Sequence, residues 1–126
     1  MGAPDGLFFS NNHEWIKFLD DGRNRAVIGI TDFAQQSLGD ILFINLCAEG
    51  DSFSSGDAIG DIESIKSVSD IICPIDGTVA RINDKVLETP DLINRDPYNS
   101  WLVEMNSITD LSGLISEAEY EIFISN

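Results

Sequence analysis

Residues 58–73 read Ala-Ile-Gly-Asp-Ile-Glu-Ser-Ile-Lys-Ser-Val-Ser-Asp-Ile-Ile-Cys, and this stretch decides the fold. Its two ends, residues 58–62 and 71–73, are rich in isoleucine, which favours strands. The octapeptide 63–70 between them predicts a hairpin turn with Lys66 near its tip. A lysine at such a tip stands in solvent, where a modifying enzyme can reach it. The stretch alone leaves open whether Lys66 carries a group or is an ordinary exposed turn lysine.

Short strands and close turns continue on both sides of this hairpin. The sequence predicts strands at residues 13–19, 25–30, 41–46, 70–73, 78–83 and 101–105. Thr31 or Asp32 can cap a short helix that carries Phe33, Ala34 and Leu38 on one stripe and stops at Gly39. The pattern therefore predicts a mainly β protein with small covering helices.

The remaining segments are less regular. Residues 1–11 are predicted to be a loosely ordered N-terminal segment. Residues 84–100 are predicted to form a covering loop with short helical turns at most, because prolines and an asparagine interrupt the pattern there. Ser116 and Glu119 form a capping box for a C-terminal helix over residues 116–126. At 126 residues, the whole chain, 1–126, is expected to fold as a single domain.

Composition narrows the possible functions. Seven basic and twenty-two acidic residues give a formal charge of −15, which disfavours binding to nucleic acid or to an anionic membrane surface and could steer basic partners. Cys47 and Cys73 both lie in apolar segments and are predicted to be core thiols. No Ser-His-Asp arrangement or phosphate-binding loop accompanies the one histidine, so we expect a protein that is not an enzyme by itself. No signal peptide is recognisable, and the cytoplasm is the default compartment, or the mitochondrial matrix for a processed chain.

Several blocks of the sequence resemble the H proteins of the glycine cleavage system, in the order that family has them. These blocks are the octapeptide around Lys66 with Gly60, Pro74 and Asp76-Gly77, His13-Glu14-Trp15, residues 29–35, Leu38-Gly39-Asp40, Leu92-Ile93-Asn94 and Asp96-Pro97-Tyr98. The likeness runs from about His13 to Tyr120. It implies the sandwich of two small antiparallel sheets found in lipoyl and biotinyl carriers, also called a barrel-sandwich hybrid, with the modified lysine at the turn that joins two similar halves.

The resemblance also implies a cofactor and its partners. Lys66 would carry lipoate in amide linkage, attached by a lipoate ligase or by a lipoyl or octanoyl transferase. The chain would shuttle the aminomethyl group of glycine from the pyridoxal-phosphate decarboxylase to the tetrahydrofolate-dependent aminomethyltransferase, and dihydrolipoyl dehydrogenase would reoxidise it. We expect a monomer. The residues that the resemblance places near the arm are Glu63, Ser64, Asp70, Glu14 and His13.

Each of these residues also has a plainer interpretation. His13 can be a structural histidine beside Trp15, and Glu14 and Asp70 can be solvated acids instead of lining a cleft that holds a protonated amine. Ser37 stands where some family members have a histidine near the arm, so no imidazole contact is expected from it.

Two other functions remain open at this point. The chain could be a stand-alone H-like protein that relays lipoyl groups to other enzymes, or an unmodified binding module with the same fold. Biotin carriage is disfavoured because Ile65 and Ser67, not methionines, flank the lysine. A lipoyl domain of a 2-oxoacid dehydrogenase is disfavoured because no Ala/Pro-rich linker follows.

Overall fold

Two antiparallel sheets form the body of the protein in a computed structural model that describes residues 3–125. The six-stranded sheet contains, in spatial order, β1 (Phe8–Phe9), β2 (Glu14–Phe18), β3 (Ala26–Ile30), β9 (Val103–Asn106), β8 (Gly77–Ile82) and β5 (Ser52–Phe53). The three-stranded sheet contains β4 (Ile41–Leu46), β6 (Ala58–Ser64) and β7 (Val68–Ile72). The predicted mainly β, two-sheet architecture is confirmed, and the sheets do not close into a barrel.

The main core lies between the two sheets, and alternation along each strand determines which residues enter it. Ile16 on β2 is paired with Ile28 on β3, and both are fully buried in this core. Trp15 and Val27 point to the other face of the same sheet, where they pack with Phe9 and Tyr120 in a second apolar cluster. Strand β3 is therefore buried along its whole length, because both of its faces are covered.

Two of the helices begin where the sequence predicts, and the first of them also ends there. Helix α1 (Asp32–Leu38) is capped by Thr31, whose hydroxyl oxygen accepts a hydrogen bond from the Ala34 amide at 3.2 Å, and Gly39 ends it at φ 76°. After α2 (Asp84–Glu88) and α3 (Leu92–Arg95), the C-terminal helix is α4 (Glu117–Ser125). Its capping box is present, with the Glu119 amide donating to Ser116 Oγ at 3.2 Å and the Ser116 amide donating to Glu119 Oε1 at 3.0 Å. Asn126 lies outside the described residues.

The prediction of a covering loop over residues 84–100 is wrong in part. The short helical turn that it allowed forms as α2, but α3 and a 3-10 turn at Pro97–Asn99 make the segment more regular than a loop. The side chain of Asn83 starts α2 by accepting from the Lys85 amide at 3.2 Å, and Val86 and Ile93 anchor α2 and α3 because both are fully buried. Propensity favours a loop here, but burial of one apolar side chain per short helix overrides it.

The prediction of a loosely ordered lead over residues 1–11 is also wrong for its described part beyond Leu7. Phe8 and Phe9 form β1 and pair with Ile16 and Trp15 on β2. Phe9 is buried, and its ring stacks on Tyr120 with the centroids 4.9 Å apart. The contact between Phe9 and Tyr120 joins residues far apart in the chain, so local sequence patterns do not reveal it. Residues 1 and 2 lie outside the described part.

The two cysteines are free. Cys73 is fully buried and its thiol donates to the Ile75 carbonyl at 3.0 Å, as expected for a core thiol. Cys47 is half-buried and packs against the edge of the same core. Within residues 3–125, no helix is long and apolar enough to cross a bilayer, and no group of three potential metal ligands is found.

Candidate functional site

The turn between β6 and β7 presents Lys66 to solvent, as predicted. Ser64 shapes this turn. Its amide donates to the Ser67 carbonyl at 2.8 Å, and its hydroxyl oxygen accepts from the amides of Lys66 and Ser67 at 3.3 and 3.2 Å. A serine hydroxyl satisfies amides that a tight turn leaves without strand partners. The lysine backbone is therefore fixed while its side chain remains exposed.

The turn is seated on the end of α1. The Ile65 amide donates to the Asp40 carbonyl at 3.1 Å. A methyl group placed on Gly39 would lie 3.3 Å from Lys66 Cε and 3.7 Å from Nζ, so the lysine side chain passes directly over this glycine. Two features of this position require glycine. The φ of 76° disfavours other residues, and the absence of a side chain leaves room for the lysine.

Asn94, on α3, holds the segment under the lysine turn, Gly39–Ile41, in position; this segment is called the seat below. Its Nδ2 donates to Gln35 Oε1 at 3.0 Å and to the Gly39 carbonyl at 2.9 Å. Its Oδ1 accepts from the Ile41 amide at 3.0 Å. One side chain thus holds together the last turn of α1 and the start of β4, which gives the Leu92-Ile93-Asn94 block a physical role.

A cleft of about 250 Å³ opens close to the lysine turn, between the start of β2, helix α1 and the β6–β7 hairpin. Its apolar wall consists of Ile30, Phe33, Ala34, Leu38, Ile62 and Ile71. Its polar lining includes His13, Glu14 and Asp70, three of the residues predicted to lie near the arm, together with Asn12, Ser37 and Ser69. Residues from both halves of the chain thus converge on one cleft that has an apolar wall and polar groups.

Glu14 has an unusual environment in this cleft. Its side chain is 1% exposed, and its Oε1 accepts from the Ser10 hydroxyl at 2.8 Å. Burial raises the pKa of Glu14 to about 8, although the hydrogen bonds from Ser10 and from the Ile72 backbone act in the opposite direction. Of the two predicted alternatives, a solvated acid is therefore wrong for Glu14. At pH 7 the carboxyl group in the free cleft is mostly protonated.

His13 and Asp70 line the same cleft from different sides. His13 adopts a left-handed backbone conformation, with φ 65°, and its Nδ1 lies 2.9 Å from the Tyr120 hydroxyl. Partial burial lowers the pKa of His13, which favours a neutral imidazole. Asp70 is exposed on the edge strand β7, and its pairing with Asp61 places it on the same face of the sheet as Glu63, so it lines the cleft only at the rim. The cleft thus combines one buried acid, one exposed acid and one imidazole.

The structure does not bring every predicted residue into the cleft. Glu63 follows the buried Ile62 and therefore points to the opposite face of the three-stranded sheet, where its carboxylate accepts from Asn45 Nδ2 at 3.0 Å. Ser64 lies in the turn. Sequence reasoning missed Ser10, which binds Glu14, and Asn94 as the residue that holds the seat. A serine four residues before Glu14 carries no distinctive signal, whereas Asn94 did belong to one of the recognised blocks.

Comparison with known proteins decides the family. Residues 7–126 match the family model described as glycine cleavage H-protein. The chain belongs to the glycine cleavage H-protein family. It is 48% identical to the glycine cleavage system H protein of Carboxydothermus hydrogenoformans, over 94% of this chain and 92% of that protein. It is 41% identical to the corresponding protein of Lachnoclostridium phytofermentans, over 98% of this chain and 96% of that protein.

A solved structure agrees with this membership. The crystal structure of a glycine cleavage system H protein from Mycobacterium marinum is similar to this chain with a TM-score of 0.89 and 31% identity, covering 98% of this chain and 99% of that one. The glycine cleavage H-protein family consists of lipoyl carriers. The sequence resemblance around Lys66 is thereby confirmed as a family relationship.

Proposed function

We propose that this protein carries the aminomethyl group of glycine on a lipoyl arm attached to Lys66, from the decarboxylase of the glycine cleavage system to its aminomethyltransferase. The observation that carries the proposal is the position of Lys66. It is exposed at the tip of a turn held by Ser64, and its side chain passes over Gly39, the residue that follows Leu38 of the cleft wall. Family membership supports the lipoyl chemistry.

The residues around the cleft fit a lipoyl group. An alkyl chain with a sulfur-containing ring needs an apolar lining, and α1 and the β6–β7 hairpin supply most of the apolar wall of this cleft. Leu38, Ala34 and Ile62 would contact the alkyl portion. When bound, lipoate supplies a dithiolane that accepts the aminomethyl group and is later reoxidised. The chain itself supplies the attachment point, the apolar shelter and the polar groups at the inner end.

Glu14 is the residue that would hold the cargo amine. In the free cleft its carboxyl group is mostly neutral at pH 7, because burial disfavours its charge. A nearby ammonium group favours the ionised form, so an arriving protonated amine would lower the pKa of Glu14 and pair with it. The apolar wall excludes water and strengthens this pairing. Asp70 at the rim would attract the amine from solvent, and neutral His13 would add no opposing charge.

The proposal also covers the domain organisation, the partners and the location of the protein. We infer that the described residues work as one carrier domain, and that the protein acts as a monomer without chemistry of its own. Its partners would be the decarboxylase, the aminomethyltransferase, dihydrolipoyl dehydrogenase and the enzyme that attaches lipoate. The relatives at 41–48% identity are bacterial proteins, which supports a cytoplasmic location.

The test is the exchange of bicarbonate with the glycine carboxyl group, catalysed by a glycine decarboxylase in the presence of the lipoylated protein. The variant Lys66→Arg should support no exchange, because it offers no amine for lipoate. Lys85→Arg, which replaces another exposed lysine outside the cleft, is the matched control and should support exchange at the parent rate. Intact mass should show one lipoyl group on the parent and on the control and none on Lys66→Arg.

Two results would contradict the proposal. One is lipoate on Lys17 or Lys85 instead of Lys66. The other is a fully lipoylated protein that supports no exchange with a decarboxylase that is active with another H protein, and this outcome would favour the lipoyl-relay function.

A further inference from the structure

A second pocket of about 210 Å³ lies between α1 and α4 and shares Phe33 with the cleft beside Lys66, called the arm cleft below. Four aromatic side chains, Phe9, Phe33, Tyr98 and Tyr120, contribute to its lining. The two tyrosine hydroxyls are engaged by the protein. Tyr98 Oη accepts from the Asp32 amide at 3.2 Å, and Tyr120 Oη lies 2.7 Å from Thr31 Oγ1. Phe33 and Tyr98 are the rings that offer surface to the pocket, because Phe9 and Tyr120 are buried and stack on each other.

Three carboxylates join this aromatic lining. Glu117 and Glu121 lie one helical turn apart on α4, which places them on the same face of the helix, and Asp32 faces them from α1. The ion pairs found among residues 3–125 involve Glu104 and Asp91, so none neutralises these three groups. Asp32 is bound only by the neutral side chains of Gln35 and Gln36, at 2.8 and 2.7 Å. The pocket thus carries a negative charge that no described basic residue balances.

An aromatic pocket with unbalanced negative charge is suited to a cation. The electron-rich faces of aromatic rings attract a positive charge, and carboxylates add a direct ion pair. A guanidinium group matches both features, because its plane stacks on aromatic rings and its donors pair with carboxylate oxygens. An ammonium group is more strongly hydrated and uses the rings less fully.

We propose that this pocket is a docking site for an arginine side chain of a partner protein. The excess negative charge of the whole chain would favour approach of a basic segment, and the pocket would select the residue that enters. Phe33 lines both this pocket and the arm cleft, so a partner anchored here lies beside the cleft. That the partner is an enzyme acting on the lipoyl arm rests on the proposed function. The proposal that the pocket binds an arginine side chain does not depend on that function.

The test uses acetyl-Gly-Arg-Gly-amide, whose only charge is the guanidinium group, and acetyl-Gly-Gln-Gly-amide as the neutral probe. Each is titrated into isotope-labelled protein and followed by NMR. The arginine peptide should shift the ring signals of Phe33 and Tyr98 and the amides of α4, and the glutamine peptide should not. The double variant Glu117→Gln, Glu121→Gln should weaken binding of the arginine peptide by about threefold or more.

A second double variant serves as the matched control. Glu49→Gln, Glu88→Gln removes the same two charges from exposed positions outside the pocket, and it should retain the parent affinity to within experimental error. Tyr98→Leu keeps the charges and should weaken binding by about two- to fivefold, the range expected for loss of an exposed cation–π contact.

Three outcomes would overturn the proposal. They are equal weakening by the two double variants, equal shifts with the arginine and glutamine peptides, and shifts on the parent protein that concentrate outside the α1–α4 pocket. The last of these needs no variant and so does not depend on how α4 tolerates substitution. Because no lipoate enters the titration, these results are independent of whether Lys66 is modified.

Discussion

His13 Nδ1 lies 2.9 Å from the hydroxyl oxygen of Tyr120, a residue 107 positions later in the chain. The same hydroxyl lies 2.7 Å from Oγ1 of Thr31, the residue that caps α1. Tyr120 therefore ties the C-terminal helix to His13, which lines the 250 Å³ cleft, and to the start of α1. Through this one group, the position of α4 and the conformation of His13 depend on each other.

Replacing Tyr120 with phenylalanine tests this connection. The ring would keep its stacking on Phe9, but Thr31 Oγ1 and His13 Nδ1 would each lose a hydrogen-bond partner. We expect the free energy of unfolding to fall by about 1–2 kcal/mol, the usual range for a buried hydrogen bond whose partner is left unsatisfied. Urea denaturation followed by tryptophan fluorescence measures this change.

A double-mutant cycle separates the shared network from simple loss of a cap. Thr31→Val should itself destabilise the protein, because it removes the cap of α1 as well as the contact with Tyr120. If the hydroxyls act as a network, the double variant should lose less stability than the sum of the two single variants. Strict additivity would show that Tyr120 and Thr31 do not act together.

The buried carboxyl group of Glu14 should make stability depend on pH. Its pKa is about 8 in the folded protein and near 4.5 in the unfolded chain, so between these values the folded state holds a proton that the unfolded state has released. The stabilising contribution of that proton is complete below pH 4.5 and is lost as pH rises towards 8. Glu14→Gln removes the titration, so this variant should gain stability relative to the parent across this range, by about 5 kcal/mol at most.

Chemical denaturation at pH 5, 7 and 9 measures this difference, since other titrating groups are common to both proteins. Ser10→Ala is the companion variant. It deletes a hydrogen bond that lowers the pKa of Glu14. The Ser10→Ala variant should therefore lose the stabilising contribution of the Glu14 proton at a higher pH than the parent does. A constant difference between Glu14→Gln and the parent at all three pH values would contradict the assignment.

The features that sequence reasoning could predict are those set by nearby residues. The Lys66 turn follows from two short β-branched strands and the residues between them, and the ends of α1 follow from Thr31 and Gly39. Burial of Phe9 depends instead on Ile115 and Tyr120, which come from a distant segment of the chain. Burial of Glu14 depends on how the two sheets pack, so the His-Glu-Trp motif alone does not predict the raised pKa of Glu14.

Asn94 should be more important for stability than its partial exposure indicates. Asn94→Ala deletes three hydrogen bonds and leaves the Ile41 amide and the Gly39 carbonyl without their side-chain partner. We expect a loss of about 2–3 kcal/mol in the free energy of unfolding. Asn99→Ala is the control, since Asn99 bonds only to the nearby, exposed Asp96 side chain, and it should change stability by less than about 0.5 kcal/mol. Similar losses for the two variants would refute the role given to Asn94.

Gly39→Ala should disturb the Lys66 side chain as well as the backbone. Alanine is strained at φ 76° and ψ −155°, a combination essentially reserved for glycine, by about 1–3 kcal/mol, and its methyl group would lie 3.3 Å from Lys66 Cε. Gly56→Ala separates the two effects, because Gly56 also has a positive φ, 99°, but an added methyl group there meets nothing within 4 Å. Both variants should lose stability in thermal unfolding. Only Gly39→Ala should change the surroundings of the Lys66 amine.

The measurement is NMR of the unlipoylated protein after reductive methylation of its lysines with carbon-13. In Gly39→Ala the dimethylamine signal of Lys66 should shift, because the lysine side chain can no longer pass directly over residue 39, while the signals of Lys17 and Lys85 stay in place. In Gly56→Ala all three signals should match the parent. An unchanged Lys66 signal in Gly39→Ala would mean that the lysine does not rest on this glycine in solution, and the seat described for the turn would then be wrong.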